Sequence, residues 1–144
     1  MTHKVAVITG AGTGIGRAAA LALHKDGYSL VLAGRRKEPL DETVALADAD
    51  GPKIVVVPTD ISDIAEIDAM FEIVKSEFGR FVVLFNNAGG GAPRFPMEDL
   101  ELADWKRCID VNLTGAFVCC HHATRIMTLQ TPKGGRIINT GSVS

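Results

Sequence analysis

Residues 9–16 read Thr-Gly-Ala-Gly-Thr-Gly-Ile-Gly and separate an apolar run, Val5 to Ile8, from a helical pattern over Ile15 to Asp26. A strand, a glycine-rich turn and a helix in this order leave unpaired backbone N–H groups at the positive end of the helix. Glycine lets the backbone approach an anion without a Cβ in the way. The stretch therefore predicts a turn that holds phosphate groups beside three glycines: Gly10, Gly14 and Gly16.

The spacing of these glycines, Gly-x-x-x-Gly-x-Gly, narrows the kind of phosphate-binding loop. The pattern Gly-x-Gly-x-x-Gly fails, because Ile15 occupies the last glycine position counted from Gly10. A phosphate-loop NTPase fails as well, since no Gly-Lys-Ser/Thr follows. Three alternatives stay open at this point: a dinucleotide-binding loop, a merely tight turn, and a methyltransferase that holds its adenosyl cofactor at a glycine-rich first loop.

Strand-like and helix-like segments alternate along the rest of the chain, as is typical of βαβ units and a parallel sheet buried on both faces. We expect helices at Ile15–Asp26, around Pro39, at Ile64–Phe78, and from about 104 to 129 with a kink at Asn112 and Gly115. We expect five strands, at Val5–Ile8, Leu30–Ala33, Ile54–Val57, Phe81–Phe85 and Arg136–Thr140. The predicted fold class is α/β.

Composition limits the classes of function. The chain has 144 residues, 47% hydrophobic and 22% charged, which predicts one globular domain over residues 1–144. A net charge of -2 without a basic stripe predicts no nucleic-acid partner. No apolar run reaches 18 residues, so we expect no membrane span and a cytoplasmic protein. Three cysteines without CxxC spacing predict buried thiols and no metal site.

Four further segments appear in order after the glycine turn: Asp60, Asn86-Asn-Ala-Gly89, Asn112 within Val-Asn-Leu-Thr, and Gly141-Ser142. Together with residues 9–16 they resemble the short-chain dehydrogenase/reductase family in order and spacing, over nearly the whole chain. The resemblance implies a doubly wound Rossmann-type sheet with helices on both faces, whose ligand lies beyond the carboxyl ends of the strands. It also implies hydride transfer between a nicotinamide cofactor, NAD(P)(H), and a small alcohol or carbonyl substrate.

The resemblance assigns cofactor-binding roles to several residues. Asp60 and Ile61 would contact the adenine, with the Asp60 carboxylate accepting a hydrogen bond from the exocyclic amine. The wall beside the adenine ribose would be formed by three residues that follow the fourth strand: Asn87, Ala88 and Gly89. The pyrophosphate would lie on the glycine turn, at Gly10, Thr13, Gly14, Ile15 and Gly16.

The choice of dinucleotide depends on the end of the second strand. An acid there bonds the ribose 2′-hydroxyl of NAD, whereas an arginine suits the 2′-phosphate of NADP. This chain has Gly34-Arg35-Arg36 at that place. NADP(H) is therefore favoured, with Arg35 on the phosphate, and NAD(H) stays possible. Thr13 stands where some NADP-dependent relatives carry a basic residue, and solvated surface arginines are the alternative interpretation.

The resemblance also implies two catalytic residues, Ser142 hydrogen-bonded to the substrate oxygen and Asn112 holding a water in the proton relay. The Tyr-x-x-x-Lys motif of the family does not occur, since Leu32 stands four residues after Tyr28, the only tyrosine. We expect that motif, and the missing C-terminal strands, to follow Ser142 in a longer enzyme. A catalytically inactive dinucleotide-binding module, acting as a sensor or docking to a partner, is the alternative. A homo-oligomer, dimer or tetramer, is expected from the family.

Overall fold

Five parallel strands form the sheet in a computed structural model of the chain, which describes residues 4–91 and 93–142. The strand order is β3-β2-β1-β4-β5. The chain thus moves outward from β1 to β3 and then crosses to the other side of β1, so the helices that follow β1 and β4 pack on opposite faces of the sheet. Ligands of such sheets bind beyond the carboxyl ends of the strands at this point. The strands are β1 (Val5–Thr9), β2 (Ser29–Gly34), β3 (Ile54–Pro58), β4 (Val83–Asn86) and β5 (Arg136–Asn139).

Helices cover both faces of the sheet, which confirms the predicted fold class. Because side chains alternate along a strand, Ala6 and Ile8 of β1 pack with the first two helices, while Val5 and Val7 pack on the opposite face with Phe71. Each fully buried large side chain of this kind contributes roughly 1.5–3 kcal/mol. The helices are α1 (Gly14–Lys25), α2 (Lys37–Ala45), α3 (Ile64–Phe78), α4 (Leu102–Ile109) and α5 (Gly115–Leu129).

The limits of α3 are those predicted, and its caps explain them. The Asp63 carboxylate accepts hydrogen bonds from the N–H groups of Ala65, at 2.9 Å, and Glu66, at 3.3 Å. Gly79 ends the helix with a φ of 70°. By contrast, β4 begins at Val83 and not at the predicted Phe81.

The difference at Phe81 has a definite cause in the side chain of Gln130. Its Oε1 accepts from the Phe81 N–H at 3.2 Å, and its Nε2 donates to the Phe81 carbonyl at 3.0 Å. The backbone of Phe81 is therefore paired by a side chain from the end of α5. Phe81 is fully buried, so its apolar character belongs to the core although it is outside the strand.

The kink predicted at Asn112 and Gly115 is a π-helical turn, Asp110–Thr114, between α4 and α5. Its wider ring is closed by a hydrogen bond from the Gly115 N–H to the Asp110 carbonyl. Glycine is required at position 115 by close packing, because a Cβ there would lie 2.2 Å from the Ile61 carbonyl oxygen. The start of α5 thus packs directly on the backbone that follows β3.

The cysteines differ in burial, so the prediction of buried thiols is wrong for two of them. Cys119 is buried, and burial, with a smaller effect of Cys120, raises the pKa of its thiol to about 12. Cys108 and Cys120 are half-buried.

Within residues 4–91 and 93–142, no helix has both the length and the apolar composition to span a membrane. The same residues contain no group of three metal-ligating side chains.

Candidate functional site

A cleft of about 620 Å³ opens at the carboxyl edge of the sheet, over the loops that follow β1 to β4. The structure places most of the predicted cofactor-binding residues on its wall. Gly16, Asn112 and Ser142, all within the described part of the chain, do not line it. The predicted residues that do are Gly10, Thr13, Gly14, Ile15, Arg35, Asp60, Ile61, Asn87, Ala88 and Gly89.

The loops after β1 and β4 are joined by the hydroxyl of Thr9. Its Oγ1 accepts from the N–H groups of Asn87, at 3.0 Å, and Ala88, at 2.9 Å. The Asn87 side chain donates in return to the Gly10 carbonyl at 3.3 Å. Thr9 is only 1% exposed, so these bonds are shielded from water. The two loops therefore form one continuous wall of the cleft.

Two glycines of the first loop are required by close contact within this wall. A Cβ on Gly10 would lie 2.9 Å from the Asn87 Nδ2 and 3.0 Å from the Ala88 Cα, and the φ of Gly10 is 65°. A Cβ on Gly16 would lie 2.1 Å from the Gly10 carbonyl oxygen. Gly16 thus supports the loop from behind and does not face the cleft.

The N-terminus of α1 is the part of the cleft best suited to an anion. The first N–H groups of a helix have no partner within the helix, and the Thr13 side chain does not cap them. The first turn contains no acidic residue, and nothing would lie within 4 Å of a Cβ on Gly14. The positive end of the helix dipole and the open space around Gly14 favour a negatively charged group here.

The opposite end of the cleft contains both signs of charge. Arg35 and Arg36 line it from the segment after β2. The Oδ1 of Asp60 accepts from the N–H of Ser62 at 2.9 Å and from its hydroxyl at 2.7 Å. Partial burial raises the pKa of the Asp60 carboxyl, but the Ser62 bonds and the charges of Arg107 and Arg35 outweigh it, so this pKa lies below its ordinary value. Asp60 is therefore ionised at neutral pH.

Asn112 lies behind the β4 loop and is bound to it by its side chain. The Oδ1 accepts from the Gly90 N–H at 3.2 Å, and the Nδ2 donates to the Gly90 carbonyl at 2.6 Å and to the Cys108 carbonyl at 2.9 Å. Both amide protons thus have main-chain partners. Ser142 lies shortly after β5, at the carboxyl edge of the sheet where the cleft opens.

Sequence reasoning missed four residues of α4 and the π-helical turn that line the cleft: Asp104, Arg107, Cys108 and Val111. The Nη2 of Arg107 lies 3.7 Å from the Oδ2 of Asp60. Their spacing places Arg107 and Val111 on one helical face, next to Asn112. That spacing was visible in the sequence, but which way the face points depends on how α4 packs.

Comparison with known proteins agrees with this geometry. An uncharacterized oxidoreductase of Staphylococcus aureus strain USA300 is 38% identical over all 144 residues, which are 60% of that protein. A metagenomic short-chain oxidoreductase solved in complex with NADP superimposes with a TM-score of 0.91 at 34% identity, covering 98% of this chain and 63% of that one. An NAD+-bound xylitol dehydrogenase gives a TM-score of 0.88 at 33% identity, with coverages of 96% and 53%.

The chain therefore spans about 60% of the length of that curated relative and between half and two thirds of the two solved structures. The sequence profile described as short chain dehydrogenase matches residues 4–144, almost the whole chain. Because this match covers more than half of the chain, and the sheet order agrees with it, the chain belongs to the short-chain dehydrogenase family.

Proposed function

We propose that the cleft binds a nicotinamide dinucleotide, with NADP(H) favoured over NAD(H), and that the protein transfers a hydride between it and an alcohol or carbonyl substrate. The observation that supports this most is the cleft itself. Its anion-binding end at Gly14 and its arginine-bearing end at Arg35 belong to one cavity of about 620 Å³. Similar structures hold NADP in one case and NAD+ in another.

The residues present fit such a cofactor at each of its parts. The uncapped turn from Thr13 to Ile15 suits the pyrophosphate, and Arg35 suits a 2′-phosphate on the adenosine ribose. Ile61 and the loop from Asn87 to Gly89 would border the adenosine. When bound, the dinucleotide supplies the nicotinamide carbon that gives or accepts the hydride.

Asp60 is arranged to recognise the adenine amine. Ser62 occupies its Oδ1 with two hydrogen bonds, which leaves the Oδ2 to accept from a ligand. Because the pKa of Asp60 is lowered, the carboxylate keeps its acceptor form at neutral pH. Arg107 offsets the negative charge that Asp60 would otherwise present to a phosphate-bearing ligand.

For the chemistry, Ser142 would hydrogen-bond the substrate oxygen, and Asn112 would take part in the proton relay. Since both amide protons of Asn112 go to main-chain carbonyls, a relay water would be held by its main chain or by the remaining lone pair of its Oδ1. The side chain itself would keep the Gly90 backbone in place beside the cofactor.

The preference for NADP(H) predicts the effect of replacing Arg35. In the protein expressed as its natural gene encodes it, Arg35→Ala is expected to weaken NADPH binding about 10- to 100-fold, the effect of losing a charge-assisted hydrogen bond. NADH binding should change little, because NADH lacks the 2′-phosphate. Calorimetric titration with both cofactors measures this directly.

Arg136→Ala is the matched control for this prediction, because Arg136 is exposed and begins β5, at the edge of the sheet opposite the cleft. It should leave both affinities unchanged. Equal weakening of NADPH and NADH by Arg35→Ala would contradict the preference. Failure of the unaltered protein to bind either cofactor would contradict the proposed function as a whole.

Cys108 offers a footprint of the bound cofactor. Since Cys108 lines the cleft, NADPH at ten times its Kd should slow alkylation of this thiol by iodoacetamide about tenfold, because only the empty fraction reacts. Cys120 is half-buried outside the cleft, so its rate serves as the control and should not change. Mass spectrometry of the digested protein separates the two sites. Unchanged alkylation of Cys108 at saturating NADPH would place the cofactor elsewhere.

Turnover distinguishes an enzyme from the alternative, a catalytically inactive dinucleotide-binding module. Oxidation of NADPH in the presence of small ketones or aldehydes supports the enzyme, whereas binding without turnover of any alcohol or carbonyl supports the inactive module.

Self-association is a further part of the proposal. It is supported by the exposed apolar side chains of Leu113, at 63%, and Phe117, at 66%, near the start of α5.

A further inference from the structure

The first turn of α2 is bound to the glycine loop through a buried hydroxyl. Thr43 is 1% exposed, and its Oγ1 lies 2.9 Å from the Ala11 carbonyl oxygen and 3.0 Å from the Pro39 carbonyl oxygen. The single hydroxyl proton is shared between these two carbonyls, and the oxygen accepts from the Arg17 Nε at 3.1 Å. Ala11 belongs to the loop after β1, so Thr43 links this loop to α2.

Arg17 strengthens the same link from α1. Its Nη2 donates to the Pro39 carbonyl at 3.1 Å and pairs with the Glu42 carboxylate at 2.8 Å. The Arg17 side chain is 25% exposed and the Glu42 side chain 64%, so the guanidinium is partly shielded from water and the carboxylate is not. We call Arg17 and Thr43, with their partners Ala11, Pro39 and Glu42, the α1–α2 bracket.

The bracket determines where the start of α2 lies. A Cβ on Gly12 would be 2.8 Å from the Pro39 Cβ, so this loop and α2 are in direct contact. A Cβ on Gly34 would be 3.3 Å from the Leu40 Cδ2, so the end of β2 touches the same turn of α2. Arg35 and Arg36 lie between these two contacts. One end of this segment is held to the glycine loop by the main-chain bond from the Ala11 N–H to the Ala33 carbonyl at 3.1 Å, and the bracket holds the other end.

We infer that Arg17 and Thr43 are positioning residues for cofactor selectivity, because they set the spacing between the pyrophosphate-binding turn and Arg35. This inference rests on the proposed function. NADP would be bound at both places at once, so its affinity depends on their spacing being organised in advance. NAD lacks the 2′-phosphate, so it needs only the pyrophosphate-binding turn and the adenosine pocket. Loosening the bracket should therefore weaken NADP binding more than NAD binding.

Thr43→Val tests this inference, because valine keeps the shape of threonine and removes the hydroxyl. In the protein expressed as its natural gene encodes it, the Kd for NADP+ should rise about tenfold, the effect of a lost buried hydrogen bond, and the Kd for NAD+ less than about twofold. Thr43→Ser keeps the hydroxyl and should restore the original ratio. The ratio of the two Kd values from one preparation is independent of the folded fraction.

Arg17→Lys is a second variant, needed if Thr43→Val does not fold. Lysine keeps the positive charge but cannot span Thr43, Pro39 and Glu42 at once, so the ratio should move in the same direction. Thr128→Val is the matched control, since that hydroxyl bonds only within the exposed side of α5. Its ratio should be that of the unaltered protein.

These results distinguish a failure of the inference about Arg17 and Thr43 from a failure of the proposed function. Equal weakening of NADP+ and NAD+ in both Thr43→Val and Arg17→Lys, or no weakening of either, would overturn the inference and leave the proposed function in place. An unaltered protein that binds neither dinucleotide overturns the proposed function. An unaltered protein that binds both without preference refutes the preference and the inference with it.

Discussion

Replacing Gly16 by alanine is expected to lower the free energy of unfolding by about 3 kcal/mol and to weaken dinucleotide binding on the order of 100-fold. The added Cβ would lie 2.1 Å from the Gly10 carbonyl oxygen and 2.7 Å from the Asn87 Nδ2. The first of these is a backbone atom, so the glycine loop itself must move. Because Gly10 and Asn87 line the cleft, the displacement reaches the binding site. Urea unfolding and NADPH titration measure the two effects.

Gly14→Ala is the matched comparison within the same loop. Nothing would lie within 4 Å of its Cβ, but its φ is +52°, so the cost is backbone strain alone, about 1 kcal/mol. Gly16→Ala should therefore be the less stable of the two. The reverse order would show that the loop accommodates a Cβ at Gly16 and that close approach to Gly10 is not what requires glycine there.

Gly115→Ala is the second change with a large expected effect, and two physical effects oppose each other in it. Alanine in a helix is favoured over glycine by about 1 kcal/mol, so helix propensity alone predicts a gain in stability. The Cβ, however, would lie 2.2 Å from the Ile61 carbonyl oxygen and 2.3 Å from the Ile61 Cγ2. Overpacking of this kind costs about 3 kcal/mol, so we expect a net loss of about 2 kcal/mol. Thermal or urea unfolding gives the sign.

Gly91→Ala controls for a glycine-to-alanine change without a close neighbour. Its Cβ would meet nothing within 4 Å, so stability should stay within about 0.5 kcal/mol of the original. Should Gly115→Ala raise stability, α5 must be free to move away from the segment after β3, and the packing described for Ile61 would not hold in solution. Because Ile61 lines the cleft, Gly115→Ala should lower cofactor affinity together with stability.

Much of the fold could be predicted from local patterns in the sequence. The apolar spacing of α3, its cap at Asp63 and its end at Gly79 lie within one segment, and the structure has that helix at the predicted residues. The start of β4 could not be found in this way. Phe81 has the apolar character of a strand residue, but Gln130, far away in sequence, takes its backbone hydrogen bonds.

The same distinction applies to the site. The glycine turn, Arg35, Asp60 and the loop at Asn87 each follow a strand, and the carboxyl ends of parallel strands meet at one edge of a sheet. Their grouping in one cleft could therefore be predicted. Arg107 could not, because it comes from a helix whose rotation depends on its packing. Thr43 could not be predicted either, since its hydroxyl bonds to Ala11 only because α2 packs against the glycine loop.

The π-helical turn at Asp110–Thr114 has a consequence for how this part of the chain can vary. Each residue added to or removed from a helix turns everything beyond it by about 100°. Adding or removing one residue in this turn would swing Cys119 and Ala123, now buried against the sheet, out of the core, and removing one would also turn the exposed Phe117 inward. We expect this stretch to tolerate exchange of side chains far better than any change of its length.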